Sequence, residues 1–118
     1  MRGTIKARAK FRRVYDEGER AIGRHLVVFA HRQDAAAETP TEVGVVASRK
    51  VGGAVQRSRA KRVLRHAWQT YRERVGRGKL VVLVARRSLI EDQMLTPAIE
   101  REMGALLQQL DLLEDARP

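Results

Sequence analysis

Short apolar runs predict three β-strands in this chain. They cover residues 23–30, 43–47 and 80–85, and each is bounded by glycine or by polar residues. The run at 80–85 is apolar at every position, which is typical of a strand in the interior of a sheet.

Apolar residues spaced three and four positions apart predict three helices. A short helix runs from Arg8 to Gly18, and a long one covers about 54–75. A third begins at Thr96, which we expect to be its N-cap, with Pro97 at the first helical position. The side chains of the long helix that we expect in the core are Ala60, Val63, Leu64, Ala67, Trp68, Tyr71 and Val75.

The order of these elements indicates an α+β fold, a two-layer α/β sandwich with one sheet. The strand at 43–47, the long helix and the strand at 80–85 would form a crossover in that sheet. A chain of 118 residues is expected to form one domain. We expect residues 1–7 to be flexible and residues 114–118 to form a tail.

The composition restricts the possible functions. The chain has 24 Lys and Arg residues against 14 Asp and Glu, a formal charge of +10, and no cysteine. Disulfides, thiolate zinc sites and cysteine nucleophiles are therefore excluded. The sequence shows neither a signal peptide nor a long apolar run, so we expect a soluble, cytoplasmic protein. The charge indicates nucleic acid rather than membrane as the partner, because the apolar helix faces are needed in the core.

The positive charge is concentrated at residues 43–72, where eight Lys and Arg residues occur without any Asp or Glu. Like charges four positions apart on a helix, such as Arg57 and Lys61, repel each other by about 0.2–0.5 kcal/mol. A solvated helix face normally mixes both signs, so this segment predicts a surface for a polyanion. One basic stripe holds Arg57, Lys61, Arg65 and Arg72, and Arg59, Arg62 and His66 lie on the far side of the helix.

The chain lacks the side chains that would hydrolyse a phosphodiester. That reaction requires metal-binding carboxylates or a histidine acid–base pair. The basic segment contains only His66, and His25 and His31 lie at the ends of a strand without metal-ligand spacing. We therefore predict neither a catalytic residue nor a metal site in this chain.

Residues 48–65 resemble the signature of the bacterial ribonuclease P protein component, Ser-Lys-Lys-x-Gly-Asn-Ala-Val-x-Arg-Asn-Arg-x-Lys-Arg-x-x-Arg. The matching run here is Ser48-Arg49-Lys50-Val51-Gly52-Gly53-Ala54-Val55, continued by Arg57-Ser58-Arg59-Ala60-Lys61-Arg62-Val63-Leu64-Arg65. Gly53 and Ser58 replace two asparagines of the pattern, and the arginines are retained.

This resemblance implies αβββαβα topology with a left-handed β-α-β crossover, as also found in a ribosomal protein domain, although such crossovers are generally right-handed. It implies that a catalytic RNA subunit removes the 5′ leader of precursor tRNA with Mg²⁺, while the protein binds that RNA and the leader. The implied RNA-binding residues are Arg49, Lys50, Arg57, Ser58, Arg59, Lys61, Arg62 and Arg65. The implied leader-cleft residues are Phe11, Tyr15 and Phe29, for which helical spacing alone would favour the core.

Two other functions remain open from the residues. A general RNA-binding or ribosomal-type protein would have the same basic helix without any role in cleavage. A sequence-specific DNA-binding protein is disfavoured, because helix-turn-helix spacing is not evident. The resemblance implies two partners, the catalytic RNA and precursor tRNA, with no membrane and no obligate protein partner.

Overall fold

The computed structural model describes residues 4–33 and 39–114, and it has the predicted α+β fold with a four-stranded sheet. Its elements in chain order are α1 (Arg8–Glu17), β1 (Glu19–Ile22), β2 (Leu26–Arg32), β3 (Glu42–Val46), α2 (Ala54–Tyr71), β4 (Lys79–Ala85), α3 (Arg87–Glu91) and α4 (Thr96–Gln109). The αβββαβα order is confirmed, with the short helix α3 added before the last helix.

The strands form one mixed sheet in the order β1-β2-β4-β3. β2 pairs antiparallel with β1 and β4, whereas β3 pairs parallel with β4. Parallel neighbours require a crossover connection, and α2 provides it. β3, α2 and β4 therefore form the predicted β-α-β unit, and its left-handedness stays a prediction from the resemblance.

One face of the sheet packs against α2 and α4 and forms the main core. The core residues predicted for the long helix are all buried, and all but Val75 lie within α2: Ala60, Val63, Leu64, Ala67, Trp68, Tyr71 and Val75. The Tyr71 hydroxyl donates a hydrogen bond of 2.6 Å to the carbonyl of Glu100, which links α2 to α4.

The opposite face of the sheet is covered in part by α1. Val14 is buried there with Leu80 and Val82 in a second, smaller cluster. Lys10 Nζ donates hydrogen bonds of 3.1 and 2.9 Å to the two carboxylate oxygens of Glu42. This ion pair ties α1 to the first residue of β3.

Ile5 also belongs to the second cluster. Its side chain is 4% exposed, and its N–H donates a hydrogen bond of 3.0 Å to the carbonyl of Val43. Ile5 is therefore packed against β3, a contact that an isolated apolar residue does not reveal in the sequence, and the flexibility of residues 1–7 stays a prediction. Residues 1–3 and most of the predicted tail, 115–118, lie outside the described residues.

Three predicted boundaries are corrected. Leu95 is the N-cap of α4, since its carbonyl accepts the hydrogen bond from Ala98 N–H, so Thr96 is already inside the helix. β2 begins at Leu26 rather than residue 23, because the residues before it form the turn from β1. α2 ends at Tyr71 rather than near residue 75, although Val75 is buried as expected.

His25, in the turn before β2, is a buried polar residue. Glu102 accepts hydrogen bonds from the backbone N–H groups of His25 (2.7 Å) and Leu26 (3.2 Å) and lies 2.7 Å from His25 Nδ1. Asp92 lies 2.9 Å from Nε2. Burial alone lowers the pKa of His25, but the hydrogen bonds and charges of Glu102 and Asp92 raise it overall. The hydrogen bond from His25 in turn lowers the pKa of Asp92.

Candidate nucleic-acid interface

The basic side chains of α2 lie on the surface that its apolar face leaves free. The helix starts at Ala54, after the turn that contains Arg49 and Lys50, and its first turn contains no acidic residue. The predicted RNA-binding residues Arg49, Lys50, Ser58, Arg62 and Arg65 are exposed, and Arg57, Arg59 and Lys61 are half-buried.

None of the Lys and Arg side chains of α2 forms an ion pair in the part of the chain that the structure describes. The ion pairs there lie elsewhere, as between Lys10 and Glu42 or Arg87 and Glu91. Arg57 Nη1 donates a hydrogen bond of 3.0 Å to the backbone carbonyl of Gly52. The charge of α2 is therefore not neutralised by these neighbours, and it remains available to a polyanion.

A groove of 1710 Å³ runs between α2 and the edge of the sheet at β3, and we call it the β3–α2 groove. Its α2 wall is a stripe spaced by four, three, four and three positions, a helical repeat that ends at the C-cap: Ser58, Arg62, Arg65, Gln69 and Arg72. The prediction that Arg62 and His66 lie on the far side of the helix from Arg65 is wrong, because all three line this groove. Its floor contains residues 43–45 of β3, and Phe11 and Ile5 line the other side. The groove combines arginines with an aromatic ring, as single-stranded RNA sites do.

The two ends of the β3–α2 groove differ in charge. Because α2 returns along β3, Ser58 lies near the carboxyl end of that strand and Arg72 near its amino end. Beyond Arg72 the groove is lined by Glu73 and Glu114 together with Arg77, so acids offset the cations there, whereas the exposed Arg49 and Lys50 follow the opposite end of β3. The Ser58 end of the groove is therefore the more positive one.

The three predicted leader-cleft aromatics do not all meet. Tyr15 and Phe29 form an edge-on pair with ring centroids 4.9 Å apart and planes at 87°. Tyr15 is 43% exposed, and partial burial raises the pKa of its hydroxyl. Phe11, one turn earlier on α1, instead lies over Gly44 of β3 and lines the groove.

Beyond Tyr15 and Phe29, the sheet face that α1 partly covers stays half-open. The register places Val27, Val84 and Val46 side by side on this face, and all three are half-buried. Ile22 adjoins them on β1 and is 57% exposed. These apolar side chains continue the surface of the aromatic pair.

Sequence reasoning placed Arg72 in the basic stripe but not among the RNA-binding residues, and it assigned no role to Gln69 or Gly44. Gln69 and Arg72 continue the spacing of the α2 stripe, so the helical period is the signal that would find them. Gly44 gives no such signal, because its contact with Phe11 exists only once α1 lies on β3.

Residues 4–33 and 39–114 provide neither a cluster of metal ligands nor a membrane-spanning helix. No group of three or more His, Cys, Asp or Glu side chains is arranged to hold a metal ion. No helix there is both long and apolar enough to span a membrane.

Comparison with known proteins assigns the chain to a family. The sequence profile of the family "Ribonuclease P" matches residues 2–111. The ribonuclease P protein component of Symbiobacterium thermophilum is 37% identical over 110 residues, 93% of this chain and 92% of the relative. That of Oleidesulfovibrio alaskensis is 33% identical over 96 residues, 81% of this chain and 76% of the relative.

Solved structures share the fold. The RNase P protein of Staphylococcus aureus superposes with a TM-score of 0.80 at 24% identity, over 97% of this chain and 100% of that one. The RNase P protein of Thermotoga maritima gives 0.74 at 22% identity over the same shares. With the profile match over nearly its whole length, this chain belongs to the ribonuclease P protein family.

Proposed function

We propose that this chain is the protein subunit of ribonuclease P and assists the endonucleolytic removal of the 5′ leader from precursor tRNA. One observation carries the proposal beyond family membership. The basic surface of α2 has no ion-pair partner among the described residues, so its charge is available to RNA. An RNA subunit and a tRNA precursor are polyanions that this surface fits.

The α2 surface binds phosphates of the catalytic RNA. Ser58, Arg62 and Arg65 are the exposed members on the groove side, and Arg59 lies across the helix. Arg49 and Lys50 extend the surface past the amino end of α2. These side chains position the RNA and neutralise its charge without reading its sequence, as phosphate contacts generally do.

The leader lies against the aromatic residues of α1 and β2. Unpaired bases stack on accessible rings, and the exposed ring of Tyr15 and the half-buried rings of Phe29 and Phe11 lie beside apolar side chains. A leader-bearing precursor therefore gains contacts that mature tRNA cannot make. This difference in affinity favours substrate over product.

The cleavage chemistry belongs to the RNA subunit and its Mg²⁺. The proposed RNA surface of this chain consists of cations, a serine and aromatic rings, which supply neither a general base nor metal-binding carboxylates. The protein supplies position and charge neutralisation. It would act in the cytoplasm with RNA partners and without an obligate protein partner.

A reconstitution assay tests this function. Purified ribonuclease P RNA should cleave a leader-bearing precursor tRNA several-fold faster at low Mg²⁺ when this protein is added. The variant Arg62→Gln/Arg65→Gln should lose most of that gain, whereas Arg101→Gln on α4 should keep it. Unchanged turnover with the wild-type protein would favour the alternative, a general RNA-binding protein without a role in cleavage.

A further inference from the structure

Gly44 occupies a position in β3 at which the backbone does not require glycine. Its φ lies outside the left-handed region, unlike that of Gly52, Gly76 and Gly78. It pairs in register with Val82 of β4, as an ordinary strand residue does. Glycine inside a strand weakens it, so its presence here calls for a steric explanation.

The ring of Phe11 fills the space that a side chain at position 44 would need. An ideal Cβ on Gly44 would lie 2.5 Å from Cε1 and 2.6 Å from Cζ of Phe11. Carbon atoms pack at about 3.5–4.0 Å, so the ring and a Cβ cannot both remain in place. The next nearest atom, Ile5 Cδ1, is 3.5 Å away, which is an ordinary contact. Phe11 alone competes for this space.

α1 cannot easily shift to relieve that conflict. Lys10, next to Phe11 in the chain, is bonded to Glu42, two residues before Gly44. Val14, on the next turn of α1, is fully buried in the second cluster. A side chain at position 44 would therefore displace the ring of Phe11 rather than the whole helix.

We infer that Gly44 is a positioning residue of the leader site. By lacking a side chain it lets Phe11 lie against β3, which fixes the ring at the side of the β3–α2 groove opposite Arg62 and Arg65. The bound leader then contacts a Phe11 ring that is held in one position, and the ring does not narrow the groove. This inference rests on the proposed function, since it assigns Phe11 a contact with the leader.

A double-mutant cycle tests this role. The measured quantity is the leader preference, the affinity of the reconstituted holoenzyme for precursor tRNA divided by that for mature tRNA. Phe11→Ala should lower the leader preference about five- to tenfold, the loss of roughly one stacked base. Gly44→Ala should lower it about threefold or more, because the ring is displaced. The double variant should match Phe11→Ala alone, since the added methyl group then has no ring to displace.

Val81→Ala is the matched control, because Val81 is buried in the main core on the face away from Phe11. It should reduce stability without changing the leader preference. An unchanged leader preference in Gly44→Ala would overturn the role of Gly44 but not the proposed leader site. The same conclusion would follow if Gly44→Ala lowered the leader preference as much in the Phe11→Ala background as in the wild-type protein. If Phe11→Ala itself leaves the leader preference unchanged, the proposed leader site and the role of Gly44 both fall.

Discussion

His25 connects three parts of the chain that are far apart in sequence. It lies in the turn before β2, and its ring nitrogens contact Asp92 and Glu102, which are 67 and 77 residues away. Both nitrogens donate hydrogen bonds only in the protonated imidazolium. The raised pKa of His25 therefore means that the folded state binds this proton more tightly than the unfolded chain does.

The free energy of unfolding should fall as pH rises through the raised pKa of His25. Below the ordinary value of 6.5 the ring is protonated in both states, and its stabilising contribution is complete. Above that value the unfolded chain has lost the proton while the folded chain retains it, so folding is increasingly disfavoured until the folded pKa is passed. Urea unfolding between about pH 6 and pH 9 measures this slope.

Two substitutions separate this effect from other titrations. His25→Gln should be less stable near pH 6 and should lose much of the slope, whereas His66→Gln, exposed on α2, should retain it. A free energy of unfolding that stays level or rises across the same interval in the wild-type protein would contradict the assignment.

At the scale of elements, α2 divides its surface between the core and the proposed RNA-binding surface. Six buried side chains on one face hold the helix on the sheet, and the exposed groove-side stripe includes Arg62 and Arg65. Arg62 and Arg65 are exposed and form no ion pair with the described residues, so we expect them to contribute little to stability. Their substitution should therefore act on binding rather than on folding.

Arg62→Ala should weaken binding to the ribonuclease P RNA and reduce the slope of log K against log salt concentration by about one. The physical reason is that one fewer counterion is released when one phosphate contact is lost. Binding titrations over a series of salt concentrations measure the slope. Arg101→Ala, exposed on α4, should leave both affinity and slope unchanged, and an unaltered slope in Arg62→Ala would mean that this arginine faces solvent in the complex.

The sequence could predict the elements that are long enough to show several apolar residues at the expected spacing. α2 and α4 have several apolar residues three and four apart, and β4 is an unbroken apolar run, so their existence was clear from the sequence. β1 has only four residues and α3 only five, too few to show a period, and residue-level reasoning missed both. Apolar runs predicted three of the four strands, and only the αβββαβα topology implied by the resemblance required a fourth, which the structure shows to be β1.

The candidate site was predictable in its charges and less so in its shape. The basic residues of α2 were identified because one segment holds cations without acids. The separation of Phe11 from the Tyr15–Phe29 pair depends on how α1 crosses the sheet, a tertiary contact that local sequence does not encode. The role of His25 likewise depends on α4 meeting the turn before β2.

At the scale of the whole molecule, charge is distributed unevenly. The segment from residue 91 to the end has seven acidic and two basic residues, against a formal charge of +10 for the chain. Asp92 and Glu102 are used internally by His25, and Glu91 pairs with Arg87. The Lys and Arg side chains of α2 have no such acidic partners among the described residues, so they repel one another in the folded state.

Added NaCl should therefore stabilise the free protein while it weakens RNA binding. Screening reduces repulsion among the cations of the folded chain, and the same screening reduces the gain from counterion release on RNA. Urea unfolding and RNA titration at about 0.05 M and 0.5 M NaCl measure the two trends. Arg62→Gln/Arg65→Gln should show a smaller salt-dependent gain in stability, and a wild-type protein that loses stability with salt would contradict the prediction.

The open edge of β3 has a consequence for self-association. Thr4 forms an isolated parallel bridge with Val43, whose carbonyl accepts the hydrogen bond from Ile5 N–H, but no described residue pairs with the outward backbone groups of Val45, two residues further along this edge. Exposed strand edges are templates on which two copies of a chain can join. Arg62 and Arg65 line the groove beside this edge, so two copies joined there would bring like charges together, and we expect these cations to oppose self-association of the free protein.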